Sequence, residues 1–257
     1  MTNLIDTHAH LYLSEFENDL ADVIDRSKEA GVEKIYMPNI DSNSIDGMLR
    51  IEKKYPDYCA SMMGLHPCYV KNEYKDELET IKSWFEKHPF CAVGEIGIDL
   101  YWDKTYVNEQ IAAFEAQINW AKDLGLPIII HCRESIDMTI EIVEKLQDGK
   151  LKGIFHCFGG GHDHAKKIID LNFLLGIGGV VTFKNGGINK IIPDIDLKHI
   201  VLETDSPYLT PAPYRGKRNM PNYLQIIASR IAELKECEID EVARVTTGNA
   251  KNVFRNA

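Results

Sequence analysis

Two histidines, His8 and His10, stand two residues apart in the segment LIDTHAH near the start of the chain. In an extended strand, side chains at i and i+2 leave the same face, so both imidazoles would aim at one point. That is the geometry of a chelate. Further polar groups recur downstream: GLHP with His66, GEIGID with Glu95, HCRE with His131 and Arg133, FHCFGG with His156, and LETDSP with Glu203 and Asp205. Any one of them has a plain explanation, since a histidine or acid at a strand end can cap a helix or bind a backbone group. Gathered at one place, so many ionisable groups would be costly without something to coordinate or neutralise them.

A pair of divalent metal ions would do this, with His8, His10, Glu95, His131, His156 and Asp205 as the expected ligands. Imidazole and carboxylate donors suit zinc, manganese or magnesium, and the lack of cysteine in the set argues against a closed structural zinc site. One division gives His8, His10 and Asp205 to one ion and His131 and His156 to the other, with Glu95 bridging. Two ions ~3.5–4 Å apart can lower the pKa of a bridging water and stabilise attacking and leaving oxygens at phosphorus. The expected chemistry is hydrolysis, with Glu95 and Asp205 as the catalytic carboxylates. Glu203, on the same strand face as Asp205, is a candidate accessory ligand.

These residues sit at the ends of apolar runs. Eight such runs occur: residues 3–6, 34–38, 60–65, 92–96, 127–131, 153–156, 173–176 and 200–202, the last continuing to 205. Amphipathic stretches lie between them, with helices expected at about 42–55, 75–87, 105–124, 135–148, 162–171, 221–236 and 239–246, and a brief turn within 188–199. Another helix is expected to start at a capping box formed by Ser14 and Glu17 and to stop at Gly31. Strands separated by helices imply parallel pairing, and eight units fit a (β/α)8 TIM barrel of ~250 residues. Residues 1–257 therefore read as one domain. An open doubly wound sheet is the alternative, but no G-x-G-x-x-G follows the first strand. In a barrel the functional face is the C-terminal edge of the strands, where six of the eight runs deliver His, Glu or Asp.

Anion recognition has candidates too. The loop after the last run reads SPYLTPAPYRGKRNMP, placing Arg215, Lys217 and Arg218 close together on a chain of formal net charge -10. Arginine offers a planar fork and lysine a point charge for phosphate. His66 and Arg133 are further phosphate candidates facing the mouth, while Tyr69, Tyr208 and Tyr214 are weaker candidates for stacking on bases. An acidic chain repels a polyanion at long range, so a nucleic-acid substrate would need such local cations or metal. No apolar run approaches the ~18 residues of a membrane span, and no signal-peptide pattern opens the chain, so a cytoplasmic protein is expected. The six cysteines (59, 68, 91, 132, 157 and 237) lack C-x-x-C spacing and read as reduced thiols, with Cys132 and Cys157 pointing away from the mouth.

Taken in order, DTHAHL, GLHP, GEIGID, HCRES, HCFGG and LETDSPYLTP with RGKRN closely resemble the TatD family of metal-dependent deoxyribonucleases, from about residue 4 to 253. The resemblance implies a TIM barrel of the amidohydrolase type, a two-metal centre on the positions above, and hydrolysis of DNA phosphodiesters, often as a 3′ to 5′ exonuclease. DNA is then the expected partner, with no obligate protein partner. Three positions depart from the family pattern: Gly159 where a serine is common, Met220 where an acid is common, and Ile136-Asp137-Met138 where an aspartate pair often follows HCRES. None is a proposed ligand. A second reading keeps the barrel but changes the substrate to a small amide, lactone or ester, or an aminoacyl ester of tRNA. Many such barrels bridge their ions through a carboxylated lysine at strand four, where this chain has Glu95, and that difference favours the nuclease.

Overall fold

The computed structural model describes residues 3–254. Eight strands run through it: β1 Leu4–Asp6, β2 Val32–Pro38, β3 Cys59–Met62, β4 Val93–Asp99, β5 Ile128–Arg133, β6 Gly153–Phe155, β7 Phe173–Ile177 and β8 Ile200–Leu202. Each overlaps one of the predicted apolar runs. The helices are α1 Leu20–Glu29, α2 Ile45–Lys54, α3 Tyr74–Ser83, α4 Val107–Leu124, α5 Ile136–Leu146, α6 His162–Asp170, α7 Leu224–Lys235 and α8 Ile239–Val253. All strand pairings are parallel, in two sheets ordered β1-β2-β3 and β4-β5-β6-β7-β8.

Single backbone pairings join the sheets at both seams. Met63 bridges Val93 between β3 and β4, and Ala9 bridges Ser206 just beyond β1 and β8. At the second seam Thr7 N–H donates to Leu202 O (3.0 Å), Asp205 N–H to His8 O (2.8 Å) and His10 N–H to Ser206 O (2.7 Å). The HAH segment is thereby held extended against the last strand, although β1 itself ends at Asp6.

Side-chain alternation sorts the strands into two layers. Ile5, Tyr36, Met62, Ala92, Ile129, Ile154, Leu174 and Val201, contributed by or beside each strand in turn, pack together with Ala250, Val253 and Phe254 from the end of α8. This cluster fills the barrel from below, with the Phe254 ring stacked on Tyr36 at 3.8 Å between centroids. Neighbouring strand residues such as Ile35, Ile128, Ile130, Phe155, Ile200 and Leu202 join the larger cluster formed with the helices. Period two then places His131 two residues above Ile129, His156 above Ile154, and Glu203 and Asp205 above Val201. Cys132 packs against the helix-side cluster, as its parity requires.

Two local expectations differ from the structure and one is met. Ser14 does not cap a helix: Ser14–Phe16 form a 3-10 turn that buries Phe16, and α1 starts only after Asp19. The brief turn expected within 188–199 is met by three 3-10 turns, and β7 and β8 are joined without an α-helix. The last helix runs on through Gly248 to Val253, because Asn249 donates to Leu197 O (2.8 Å) and Ile200 O (2.7 Å) and Val253 belongs to the barrel plug.

Two glycines test this packing in opposite senses. Gly97 in β4 has φ +144°, and a Cβ there would fall 2.0 Å from His131 O on β5. Gly97→Ala is expected to cost about 3 kcal/mol or more, lowering the thermal midpoint by roughly 6–12 °C. Gly248 is helical with open space around its Cβ direction, so Gly248→Ala is expected to stabilise by about 0.5–1 kcal/mol. Thermal unfolding of both variants checks the pair.

Candidate metal centre

At the mouth of the barrel the Glu95 carboxylate, 3% exposed, lies among five imidazoles. Its Oε2 is 3.1 Å from His8 Nε2 and 3.5 Å from His10 Nε2. Its Oε1 is 2.8 Å from His131 Nδ1, 3.0 Å from His156 Nε2 and 3.3 Å from His66 Nε2. Simple alternation would not aim Glu95 here. Ala92 packs inside the barrel and Val93 outside, so residue 95 should share the outward side of Val93. The β4–β5 register slips between Val93 and Ile96, and this irregularity turns the carboxylate inward.

Asp205 faces the same cluster from the segment just beyond β8, with Oδ1 3.5 Å from His10 Nε2 and 3.8 Å from His8 Nε2. Its φ is +56°, the left-handed region that aspartate tolerates better than most residues. Glu134 and Cys157, at the mouth turns after β5 and β6, share this conformation.

Supporting groups orient the rings. Tyr12 Oη donates to Pro38 O at 2.6 Å and must therefore accept from His10 Nδ1–H at 2.9 Å, leaving the His10 Nε2 lone pair facing Glu95. Asp99 Oδ2 holds His131 Nε2 at 2.9 Å, so His131 Nδ1 is the atom turned to the centre. Buried Asp6 accepts from Thr204 N–H (2.9 Å), Thr204 Oγ1 (2.6 Å) and His8 N–H (3.3 Å), tying the segment of His8 to that of Asp205. Burial pushes the Asp6 carboxyl up to about 8, against the pull of the Thr204 hydrogen bonds.

The electrostatics of the cluster are lopsided. Burial would raise the Glu95 carboxyl, but His66, His156 and His8 hold it well below its ordinary value. Burial lowers His8, whereas the Glu95 and Glu203 carboxylates lift His156 well above its usual range despite its burial. Every ion pair that Glu95 or Asp205 makes among the described residues is with an imidazole, never with Lys or Arg. His8 Nδ1, His156 Nδ1 and Glu203 Oε2 are buried without a hydrogen-bond partner. Converging nitrogen lone pairs and buried carboxylates, with no fixed cation nearby, suit a divalent first-row metal. Three sets of side chains bring their donor atoms within 4.8 Å of one another: His8, His10 and Glu95; His8, His156 and Asp205; and His66, Glu95 and His131.

All six expected ligands thus meet in one place, but they group differently from the expected division. His156 falls with His8 and Asp205 as well as beside Glu95 and His131. Glu203 sits directly behind it, with Oε1 3.4 Å from His156 Nδ1 and accepting from Cys157 N–H at 2.5 Å. His66, expected to contact phosphate, is turned to the cluster instead. Its Nδ1 accepts from Cys68 N–H at 3.1 Å, which leaves Nε2–H for Glu95.

Arg218, also expected to contact phosphate, is engaged by both carboxylate oxygens of Asp19 (2.8 and 2.5 Å) and by Glu15 O, and so fastens the long loop after β8 to the start of α1. Arg215 and Lys217 are exposed and make no ion pair among the described residues, Arg215 lying over the Phe183 ring at 3.7 Å. Arg133 is likewise exposed, over Tyr101 at 3.7 Å. Sequence reasoning misses Tyr12, Asp99 and Asp6 as site residues, although Asp6 and Asp99 stand inside the ligand motifs, two and four residues from His8 and Glu95.

A parallel α/β barrel with histidines and carboxylates converging at its mouth defines a metal-dependent hydrolase. Residues 5–255 match the family described as TatD related DNase, and the chain belongs to that family. It is 39% identical over 253 residues to "Uncharacterized metal-dependent hydrolase YabD" of Bacillus subtilis, covering 98% of this chain and 99% of that protein. It is 30% identical over 260 residues to "3'-5' ssDNA/RNA exonuclease TatD" of Pectobacterium parmentieri, covering 99% and 100%. The crystal structure of YJJV, a TatD homolog from Escherichia coli, superposes with a TM-score of 0.93 at 27% identity, over 100% of this chain and 99% of that one.

Tyr12→Phe keeps the ring but removes the group that sets the His10 tautomer. Its affinity for Zn²⁺ or Mn²⁺ is expected to fall about 10-fold or more, read by isothermal titration of metal-stripped protein.

Proposed function

We propose that the protein hydrolyses phosphodiester bonds of single-stranded DNA from the 3′ end, using two divalent ions held at the mouth of the barrel. The observation that carries the proposal is the buried Glu95 carboxylate, with one oxygen facing His8 and His10 and the other facing His131 and His156. A carboxylate so placed can serve two ions at once. His8, His10 and Asp205 would hold one, and His131 and His156 the other. When bound, such ions polarise a phosphoryl oxygen and make a water acidic enough to attack near neutral pH. The exonuclease names of several relatives support the choice of substrate.

The chain's own groups have separable tasks in this reading. The Asp205 side chain is 13% exposed against 3% for Glu95, so Asp205 is the carboxylate with an edge toward substrate, and it takes the proton of the attacking water. Asp99 and Tyr12 keep His131 and His10 aimed, while His66 steadies Glu95. Glu203 backs His156 from the barrel interior. Of the expected phosphate contacts, Arg215, Lys217 and Arg133 make no ion pair among the described residues and can meet phosphate, whereas Arg218 is held by Asp19.

The test is digestion of 5′-labelled single-stranded DNA with Mn²⁺ or Mg²⁺, with and without chelator. Products shortening from the 3′ end are expected, abolished by chelator and reduced in Glu95→Gln by more than the ~100-fold that even supporting residues of a metal site can cost. No cleavage with any divalent ion, or undiminished cleavage by Glu95→Gln, would overturn the proposal.

Replacing Arg215 and Lys217 together by alanine is expected to raise KM for DNA. It should also flatten the dependence of log affinity on log salt by roughly 0.7 for each phosphate no longer neutralised. A salt titration of binding by both proteins measures this.

A further inference from the structure

The exposed aromatic surface of this protein is concentrated at the barrel mouth. Seven large apolar side chains are exposed among the described residues; Tyr69, Tyr101, Trp102, Tyr208, Leu209 and Tyr214 lie on connections following β3, β4 and β8, and only Leu124 lies elsewhere. Trp102 is the extreme at 69% exposed, with its neighbour Tyr101 at 49%. Trp102 and Tyr101 form an exposed aromatic pair linked through Asp99 to His131, and exposed apolar surface grouped at a site marks a ligand contact.

Two sets of contacts fix this pair in place. Asp99 Oδ1 accepts the backbone N–H of Tyr101 (2.9 Å) and of Trp102 (3.0 Å), while its other oxygen holds His131 at 2.9 Å. One carboxylate therefore positions the aromatic loop and an imidazole of the centre together. The Arg133 guanidinium lies 3.7 Å from the Tyr101 centroid and 5.4 Å from that of Trp102, and it makes no ion pair among the described residues. The two rings meet edge to face, 4.9 Å apart at 86°.

We propose that Trp102, backed by Tyr101 and Arg133, is a stacking platform for an unpaired nucleobase of the substrate, with Arg133 meeting an adjacent phosphate. This rests on the nuclease reading and adds to it the residues that select single strands. An unpaired base offers its π-face to an indole regardless of sequence, whereas a base within a duplex has both faces already stacked. The guanidinium within the patch suits a polyanion that carries rings and disfavours an aliphatic protein surface.

The test uses Trp102→Ala, Trp102→Phe and two strands of equal length, one normal and one abasic near its 3′ end. For Trp102→Ala, KM on the normal strand is expected to rise roughly tenfold, as for removal of one base-aromatic stack, with kcat nearly unchanged. Trp102→Phe should restore most of that affinity, and the abasic strand should not distinguish the proteins. Intrinsic fluorescence of metal-loaded wild type should be quenched by the normal strand. Trp102→Phe, which keeps only Trp84 and Trp120, should show little quenching.

Wild-type KM in Trp102→Ala together with undiminished quenching in Trp102→Phe would overturn the platform and leave the nuclease reading intact. Absence of cleavage of either strand by wild type would sink the nuclease reading, and the fluorescence titration would still decide whether Trp102 contacts a base.

Discussion

The structure depends on compensating a buried negative charge. Removing a carboxylate such as Glu95 from water costs several kcal/mol unless cations or hydrogen-bond donors replace the lost hydration. This chain surrounds it with five imidazoles and no lysine or arginine. Imidazoles can offer protons, or withdraw them and offer lone pairs. The cluster can therefore balance its charge with bound protons or with divalent cations, and loading of one is linked to release of the other. A cage of arginines would stabilise Glu95 equally well and leave no donor atoms for a metal.

The scaffold below converts this chemical choice into geometry. Alternate residues of β5, β6 and β8 form an apolar layer inside the barrel and, one step higher, the polar layer at its mouth. Polar side chains around the cluster then remove the remaining freedom. Tyr12 sets the proton position of His10, Asp99 the orientation of His131, and Asp6 the distance between the first and last strand ends. Packing places the rings, and hydrogen bonds choose which nitrogen faces inward.

The strands were legible because parallel strands buried on both faces read as unbroken apolar runs, and their shared direction sends the polar ends to one edge. That logic located His131, His156 and Asp205 and, with the H-x-H spacing, His8 and His10. It reached Glu95 for an incomplete reason, since only a register slip brings that residue inward. The inward turn of His66, the capture of Arg218 by Asp19 and the task of Tyr12 depend on how loops fold back, which period-two reasoning does not describe. Likewise the last helix outruns its glycine because of tertiary bonds from Asn249, and Ser14 precedes a turn that buries Phe16 rather than a helix. Local patterns held where neighbouring residues decide the conformation, and failed where partners distant in sequence do.

The seam between the first and last strands bears on synthesis of the chain. Asp6 and Thr204 are 198 positions apart, yet their hydrogen bonds hold His8 beside Asp205. A polypeptide still on the ribosome with only its first seven strands emerged owns most of the histidines but not the carboxylate that completes them. The full set of donor atoms is consequently assembled only when the last strand pairs with the first, and a chain ending before β8 would lack both Asp205 and the seam that holds it beside His8.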